Sequence, residues 1–327
     1  MDATEKAELR DSLRALFAAA RTETGAVAAE LRDLGWDEVV AEDPSAVALL
    51  FEEQGRALVT STLLDETVAG TLGLERTDTA VAYPLEVGDL WAPCSAAADV
   101  TGGLGPVVRT GGRQPERIVL PLGPTEIRVV PGSGVDLRPV AGLDPDGGWA
   151  RLDSIPAAAA GTVLAASWTD AVAVARRALA AESVGLARAA LALATAHVTE
   201  RRQFGRSIGS FQAVRFRLAD AQIAIESAAE AVRVAFATDS GLAAVAAKAI
   251  AARAVDSAVR TAAQVCGAMG MTWEFGLHRV IRRGLVLDQL LGDSGAVSTA
   301  LGRHLVESAV ESATLPLLDP LSIPLTR

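Results

Sequence analysis

Three long stretches of helical pattern, roughly residues 168–199, 209–238 and 240–269, dominate the C-terminal half of this chain. Phe211, Val214, Leu218 and Ile225 form an apolar stripe at helical spacing, and alanines elsewhere allow backbones to approach closely. Two shorter helices are expected, near 276–290 and over 294–313. Lengths of this kind build a four-helix bundle. The tail TLPLLDPLSIPLTR is proline-rich and reads as extended.

The first 74 residues are also helical by pattern, with Leu9, Leu13, Leu16 and Phe17 on one face and Val27, Leu31 and Leu34 repeating the spacing. Gly35 ends that second helix, and Asp43, Pro44 and Ser45 read as an N-cap and first turn leading into AVALLFEEQGRAL. Gly55 marks a bend or a close approach in that helix. Between 75 and 165 the texture changes to short β-branched runs, VVRT, RIVLPL, EIRVV and VDLRPV, punctuated by GLGP, TGG, PLGP, PGSG and DPDGG. Such punctuation predicts a small β-domain of antiparallel meanders. The fold class is therefore α+β, mostly α: N-terminal helices (1–74), a reduced central β-domain (75–165) and a C-terminal bundle (166–327).

Thirty basic against forty acidic residues leave a formal charge of -10, which disfavours a phosphate backbone as partner. Aromatics make up only 4 % of the chain, too few for base-stacking platforms. Cys94 and Cys266 are far apart and suggest neither a disulfide framework nor a zinc site, so a reducing cytoplasm is expected. The N-terminus begins with an acidic amphipathic helix pattern and shows no export signal. Lys248, Arg253, Asp256 and Arg260 interrupt the alanine-rich run, and no membrane span is expected. His197, His278 and His304 are too scattered for a metal cluster, Ser183 has no histidine nearby in sequence, and the glycine clusters read as turns.

The segment ERRQFGRSIGSFQAVRFRLADAQIAIESA, Glu200 to Ala228, resembles the signature of the acyl-CoA dehydrogenase family, in which an Arg, a Phe-Gly and a Gln precede a helix carrying Ala-Asp. AAESVGLARAALALATAHV before it, QVCGAMGMTWEFGLHRVIRR after it, and the N-terminal LRDLGW and LLFEEQGRAL extend the resemblance over nearly the whole chain, most weakly over 75–165. It implies helices, a β-domain and a four-helix bundle in that order, and FAD bound between subunits. Arg201 then matches the arginine that reaches the FAD pyrophosphate, a role suited to a bidentate guanidinium. Phe204 and Gln212 match two further cofactor contacts, Gln264 the glutamine near the adenosine, and Gly267 and Ala268 a glycine pair whose second member has gained a methyl. Taken singly, Arg201 also reads as a solvated helix-end charge, Phe204 as a core plug and Gln264 as a surface amide.

The family oxidises a thioester by removing a Cα proton with a glutamate while hydride leaves Cβ for the flavin. Two positions are known for that base, and the resemblance puts Leu291 at one and Ala175 at the other, with Arg176 following. Neither side chain accepts a proton, so the catalytic set expected of this chain is empty. Asp293 is a conceivable substitute but reads better, with Ser294, as the N-terminal cap of the last helix. Glu182 and Glu274 read as structural. The central domain lacks the TEPGAGSD-like turn and the tryptophan-bearing strand over the flavin ring, and Trp91 reads as a packing residue.

These features together resemble the smaller subunit of actinobacterial heterotetrameric (α2β2) acyl-CoA dehydrogenases, several of which act on steroid side-chain CoA thioesters. Such a subunit implies FAD at the unlike interface, a catalytic partner that supplies the glutamate, acyl-CoA at the partner's site, and an electron-transfer flavoprotein as acceptor. The competing readings are a homotetramer whose base has moved to Asp293, and a non-catalytic acyl-CoA-binding or scaffold protein of the same fold.

Overall fold

The computed structural model describes residues 1–19, 26–85, 106–110, 113–140, 142–154 and 161–311. Trp91, Cys94 and the tail from 312 lie outside them.

Among the described residues the chain opens with helices α1 (Ala3–Ala19), α2 (Ala26–Asp33), α3 (Trp36–Glu42), α4 (Ala46–Ala57) and α5 (Leu63–Thr71). Leu13, Leu16 and Phe17 of α1 pack with Val27 and Leu31 of α2 and with Leu50 and Phe51 of α4. The spacing that placed Leu34 on the same face fails, because α2 stops at Asp33 and Gly35, at φ +76°, turns the chain into α3. Leu34 is left in the turn, 70 % exposed. Asp43 works in the connection before α4, accepting the Ser45 N–H at 2.9 Å through Oδ1.

Among the described residues seven short strands follow: β1 (Thr79–Val81), β2 (Val107–Arg109), β3 (Arg117–Pro121), β4 (Ile127–Pro131), β5 (Asp136–Pro139), β6 (Trp149–Ser154) and β7 (Thr162–Leu164). They form two sheets, ordered β1-β3-β4-β7 and β2-β6-β5. Ala80, Val108, Ile118, Leu120, Val130 and Leu152 fill the core between them. A pure antiparallel meander is not what forms: β1 and β3 run parallel, with Ala80 opposite Ile118. Because β2 joins the other sheet, the chain comes back to β1's sheet in the original direction.

The bundle comprises α6 (Trp168–Glu200), a small hairpin of β8 (Arg202–Gln203) and β9 (Arg206–Ser207), α7 (Gln212–Thr238), α8 (Gly241–Cys266), α9 (Leu277–Gln289) and α10 (Ser294–Glu311). Ser167 caps α6 through its hydroxyl, 3.2 Å from the Asp170 N–H, and Ser240 caps α8 in the same way at 3.3 Å from Ala243. Gly209 falls in a 3₁₀ turn ahead of α7, and Gly267, at φ +57°, ends α8 three residues before the pattern does. Small residues dominate the helix contacts, with Ala178, Ala187, Ala190, Ala251 and Ala258 all fully buried. Among the described residues one helix, α6, is long and apolar enough to cross a membrane by length and composition, and the charge-interrupted α8 is not. Of the apolar window in α6, 72 % is buried inside the protein, which accounts for the hydrophobicity by packing.

Helices α4 and α6 cross with their backbones in contact. A Cβ on Gly55 would stand 2.0 Å from the Glu182 carbonyl oxygen, and one on Gly185 would stand 1.9 Å from that of Glu52. The reading of Gly55 as a close-packing position holds, and Gly185 is its counterpart. Through this crossing the N-terminal helices meet the bundle in direct backbone contact.

Candidate active site

Ala175 and Leu291 are 1 % and 0 % exposed, and the fold brings their surroundings together although they are far apart in sequence. Arg176, buried beside Ala175, donates from Nε and Nη2 to the Leu291 carbonyl at 3.1 and 2.8 Å. Leu291 adopts the left-handed conformation at φ +56° and Gly292 follows at φ +105°, so the α9–α10 connection turns its carbonyls inward. Lys248 of α8, 3 % exposed, donates from Nζ to the Asp288 carbonyl at 2.9 Å and to the Gly292 carbonyl. Burial pushes its pKa down to about 8; Arg176 adds to this, while Asp288 and Asp293 oppose it. Two buried cations thus clamp one short connection.

Asp293 sits at the edge of this clamp, and its Oδ1 accepts the Gly295 and Ala296 N–H groups, both at 3.0 Å. That is the geometry of a helix N-cap, as the sequence reading favoured. Asp288 accepts the Ser294 N–H at 2.9 Å and its hydroxyl at 3.3 Å. Both carboxylates are engaged in building the start of α10. Ser183 donates to the Leu179 carbonyl at 2.8 Å, within its own helix. No group of three or more metal-ligating residues occurs among the described residues.

The six residues assigned to the cofactor are all exposed: Arg201, Phe204, Gln212, Gln264, Gly267 and Ala268. Arg201 ends α6, its N–H donating to the His197 carbonyl at 2.9 Å, and its own carbonyl accepts the Ile208 N–H at 2.8 Å. The hairpin between them is turned by Phe204 and Gly205 at φ +53° and +78°. Phe204 is 91 % exposed, which excludes the core-plug reading; it meets Phe211 edge-on at 6.1 Å, and the Arg206 guanidinium stacks 4.1 Å above Phe211. Gln212 opens α7, and Gln264 lies in the last turn of α8. Nothing stands within 4 Å of a Cβ built on Gly267. His197 packs edge-on against Phe275 at 5.7 Å, which puts the end of α6 and the chain following α8 at the same end of the bundle.

A guanidinium, two primary amides and an open left-handed turn suit the phosphate-bearing half of a dinucleotide such as FAD. As surface features they offer an open wall rather than an enclosure.

Sequence reasoning missed a third cluster, whose ionisable members are dispersed from Asp65 to Arg283. Tyr83 donates to Asp65 Oδ1 at 2.6 Å, and Arg109 donates to the Ser61 carbonyl at 3.3 Å with its guanidinium 4.5 Å above Trp149. Arg283 pairs with Asp144, donates to Thr60 Oγ1 at 2.7 Å, and lies 3.7 Å from Glu182. Burial raises the Asp65 pKa to about 7 against the pull of the Tyr83 hydroxyl and of Arg109. No local motif announces this cluster, because its members come from six separate elements.

Helices, two small sheets and a bundle bearing an exposed arginine-glutamine wall define an acyl-CoA-dehydrogenase-like fold. Residues 166–306 match the family model for the acyl-CoA dehydrogenase C-terminal domain, and this bundle is a domain of the acyl-CoA dehydrogenase family. It is 28 % identical to the acyl-CoA dehydrogenase IpdE2 of Mycobacterium tuberculosis, over 93 % of this chain and 98 % of that one. With IpdE2 of Mycolicibacterium smegmatis it shares 38 % identity over 35 % of this chain and 37 % of the relative, so that match spans well under half of that protein. Among solved structures, the Tcur3481-Tcur3483 steroid acyl-CoA dehydrogenase variant superposes with a TM-score of 0.76 at 26 % identity, covering 94 % of this chain and 99 % of that one. The ChsE4-ChsE5 complex of Mycobacterium tuberculosis superposes with a TM-score of 0.73 at 19 % identity, covering 94 % and 98 %.

Proposed function

We propose that this chain is the base-less subunit of an FAD-dependent acyl-CoA dehydrogenase, paired in an α2β2 assembly with a related chain that supplies the glutamate. The observation that carries this reading is the juxtaposition of Ala175 and Leu291: the clamp built by Arg176 and Lys248 is intact, yet hydrocarbon stands at both places assigned to the base. A positioned general base contributes roughly 10²- to 10⁴-fold to such a reaction. Without one, proton removal from Cα falls to the partner.

This chain's own contribution is binding. Arg201 offers paired N–H donors to a pyrophosphate, Gln212 and Gln264 add neutral donors, Gly267 leaves its backbone open to a phosphate, and Ala268 narrows that approach by one methyl. Phe204 projects an aromatic face from the hairpin toward whatever covers this end of the bundle. FAD, when bound, supplies the acceptor for the hydride that leaves Cβ. An electron-transfer flavoprotein is the acceptor this reading calls for. The steroid dehydrogenase among the structural relatives supports a steroid side-chain CoA ester as the acyl group. The free, buried Cys266 is compatible with a cytoplasmic complex.

The test is to purify the chain alone and after co-expression with a longer related dehydrogenase that carries the glutamate. The lone chain is expected to be colourless and inactive, and the complex yellow and able to desaturate an acyl-CoA. Stoichiometric FAD and turnover in the lone chain would overturn the proposal.

A further inference from the structure

The N-terminal helices, the β-sheets and the bundle meet around one buried charged cluster. Helix α5 contributes Asp65, the chain after β1 Tyr83, β2 Arg109, the turn before β6 Asp144, α6 Glu182 and α9 Arg283. Its polar atoms are far from satisfied. Gln54 Nε2, Asp65 Oδ2, Arg109 Nε and Nη2, Trp149 Nε1 and both Glu182 oxygens are buried without a hydrogen-bond partner. Unpaired donors and acceptors of this kind are ready partners for water, and a buried polar atom left without any partner costs about 1–3 kcal/mol.

The charge balance is equally poised. Two guanidinium groups, Arg109 and Arg283, face three carboxyls, Asp65, Asp144 and Glu182. Arg283 serves Asp144 directly and Glu182 at longer range, whereas Asp65 has the neutral Tyr83 hydroxyl as its hydrogen-bond partner. Neighbouring Glu66 turns outward to Arg32 at 2.9 Å and leaves the balance unchanged. The cluster is neutral when one carboxyl keeps its proton, and Asp65 is the one placed to do so.

We propose that this three-way junction is a proton-linked latch, closed while Asp65 is protonated and passing to a hydrated, separated arrangement when Asp65 gives up its proton. In the closed form the carboxyl titrates near pH 7 and in the open form near its ordinary 3.8. The closed form therefore holds the extra proton between those values. The opening equilibrium rises with pH by up to roughly tenfold per unit across this window and levels off above pH 7.

Hydrogen–deuterium exchange on the full chain tests this, with intrinsic rates corrected and peptides covering residues 61–66, 79–83 and 106–110. Between pH 5.5 and 7 the opening constant of these peptides is expected to rise about 10- to 30-fold and then to flatten by pH 8. Asp65→Asn, which keeps a partner for Tyr83 and cannot ionise, is expected to abolish the rise. A flat wild-type profile overturns the latch, as does an unchanged slope in Asp65→Asn or loss of the slope in Glu182→Gln alone. Should Asp65→Asn fail to fold, carbon-13 carboxyl titration of the wild type decides: a midpoint near 7 for Asp65 supports the proposal and one near 4 overturns it.

Discussion

Arg176 places two N–H donors, at 3.1 and 2.8 Å, on the carbonyl oxygen of Leu291, a residue 115 positions later in the chain. Through this pair the start of the bundle's first helix holds the connection into its last one. Replacing Arg176 with Met keeps the bulk but leaves the Leu291 carbonyl without these donors. The expected loss is about 2–3 kcal/mol of unfolding free energy, read from urea denaturation. A loss below about 0.5 kcal/mol would show that the clamp has no structural weight.

Lys248 makes the same connection sensitive to alkaline pH. Its pKa is about 8 in the folded chain against 10.5 when unfolded, so below pH 8 both states carry the charge and the burial penalty is constant. Between 8 and 10.5 the unfolded chain binds more protons, and the wild type gains stability as pH rises. Relative to Lys248→Met, this gain is expected to approach about 3 kcal/mol by pH 10.5. Thermal unfolding of both proteins from pH 7.5 to 10 checks it, and parallel pH profiles would refute it.

Two glycines with different reasons for being glycine separate packing from backbone strain. Gly185→Ala pushes a methyl into the Glu52 carbonyl, 1.9 Å from the built Cβ, and is expected to cost about 3 kcal/mol or more because neither backbone can yield. Gly205→Ala meets nothing within 4 Å and pays only for its φ of +78°, roughly 1–2 kcal/mol. Calorimetric melting of the two variants should rank them in that order.

If the exposed wall at the end of the bundle serves FAD, Arg201→Gln should lower the flavin content of the co-expressed complex at least tenfold. The melting temperature of the lone chain should stay within a degree, since the side chain is exposed. Equal flavin content in both complexes would remove Arg201 from the cofactor site.

Much of the architecture was legible from periodicity, because a helix writes its buried face into the sequence at local spacing. The bundle helices and the β-rich middle follow from neighbours in sequence. Leu34, the start of α7 and the end of α8 escaped, since single turns decide them. The six cofactor candidates were legible as a string, and their exposure is what the string alone did not reveal.

Sequence alone determined that hydrocarbon occupies Ala175 and Leu291 and that an arginine and two glutamines recur at a dehydrogenase's spacing. Tertiary structure alone decided that Arg176 reaches Leu291, that Gly55 and Gly185 let two backbones touch, and that Asp65, Arg109, Glu182 and Arg283 share one buried junction. The physical reason is range. Propensity and amphipathicity act within a few residues, whereas desolvation, ion pairing and backbone contact depend on distances that only the folded chain sets.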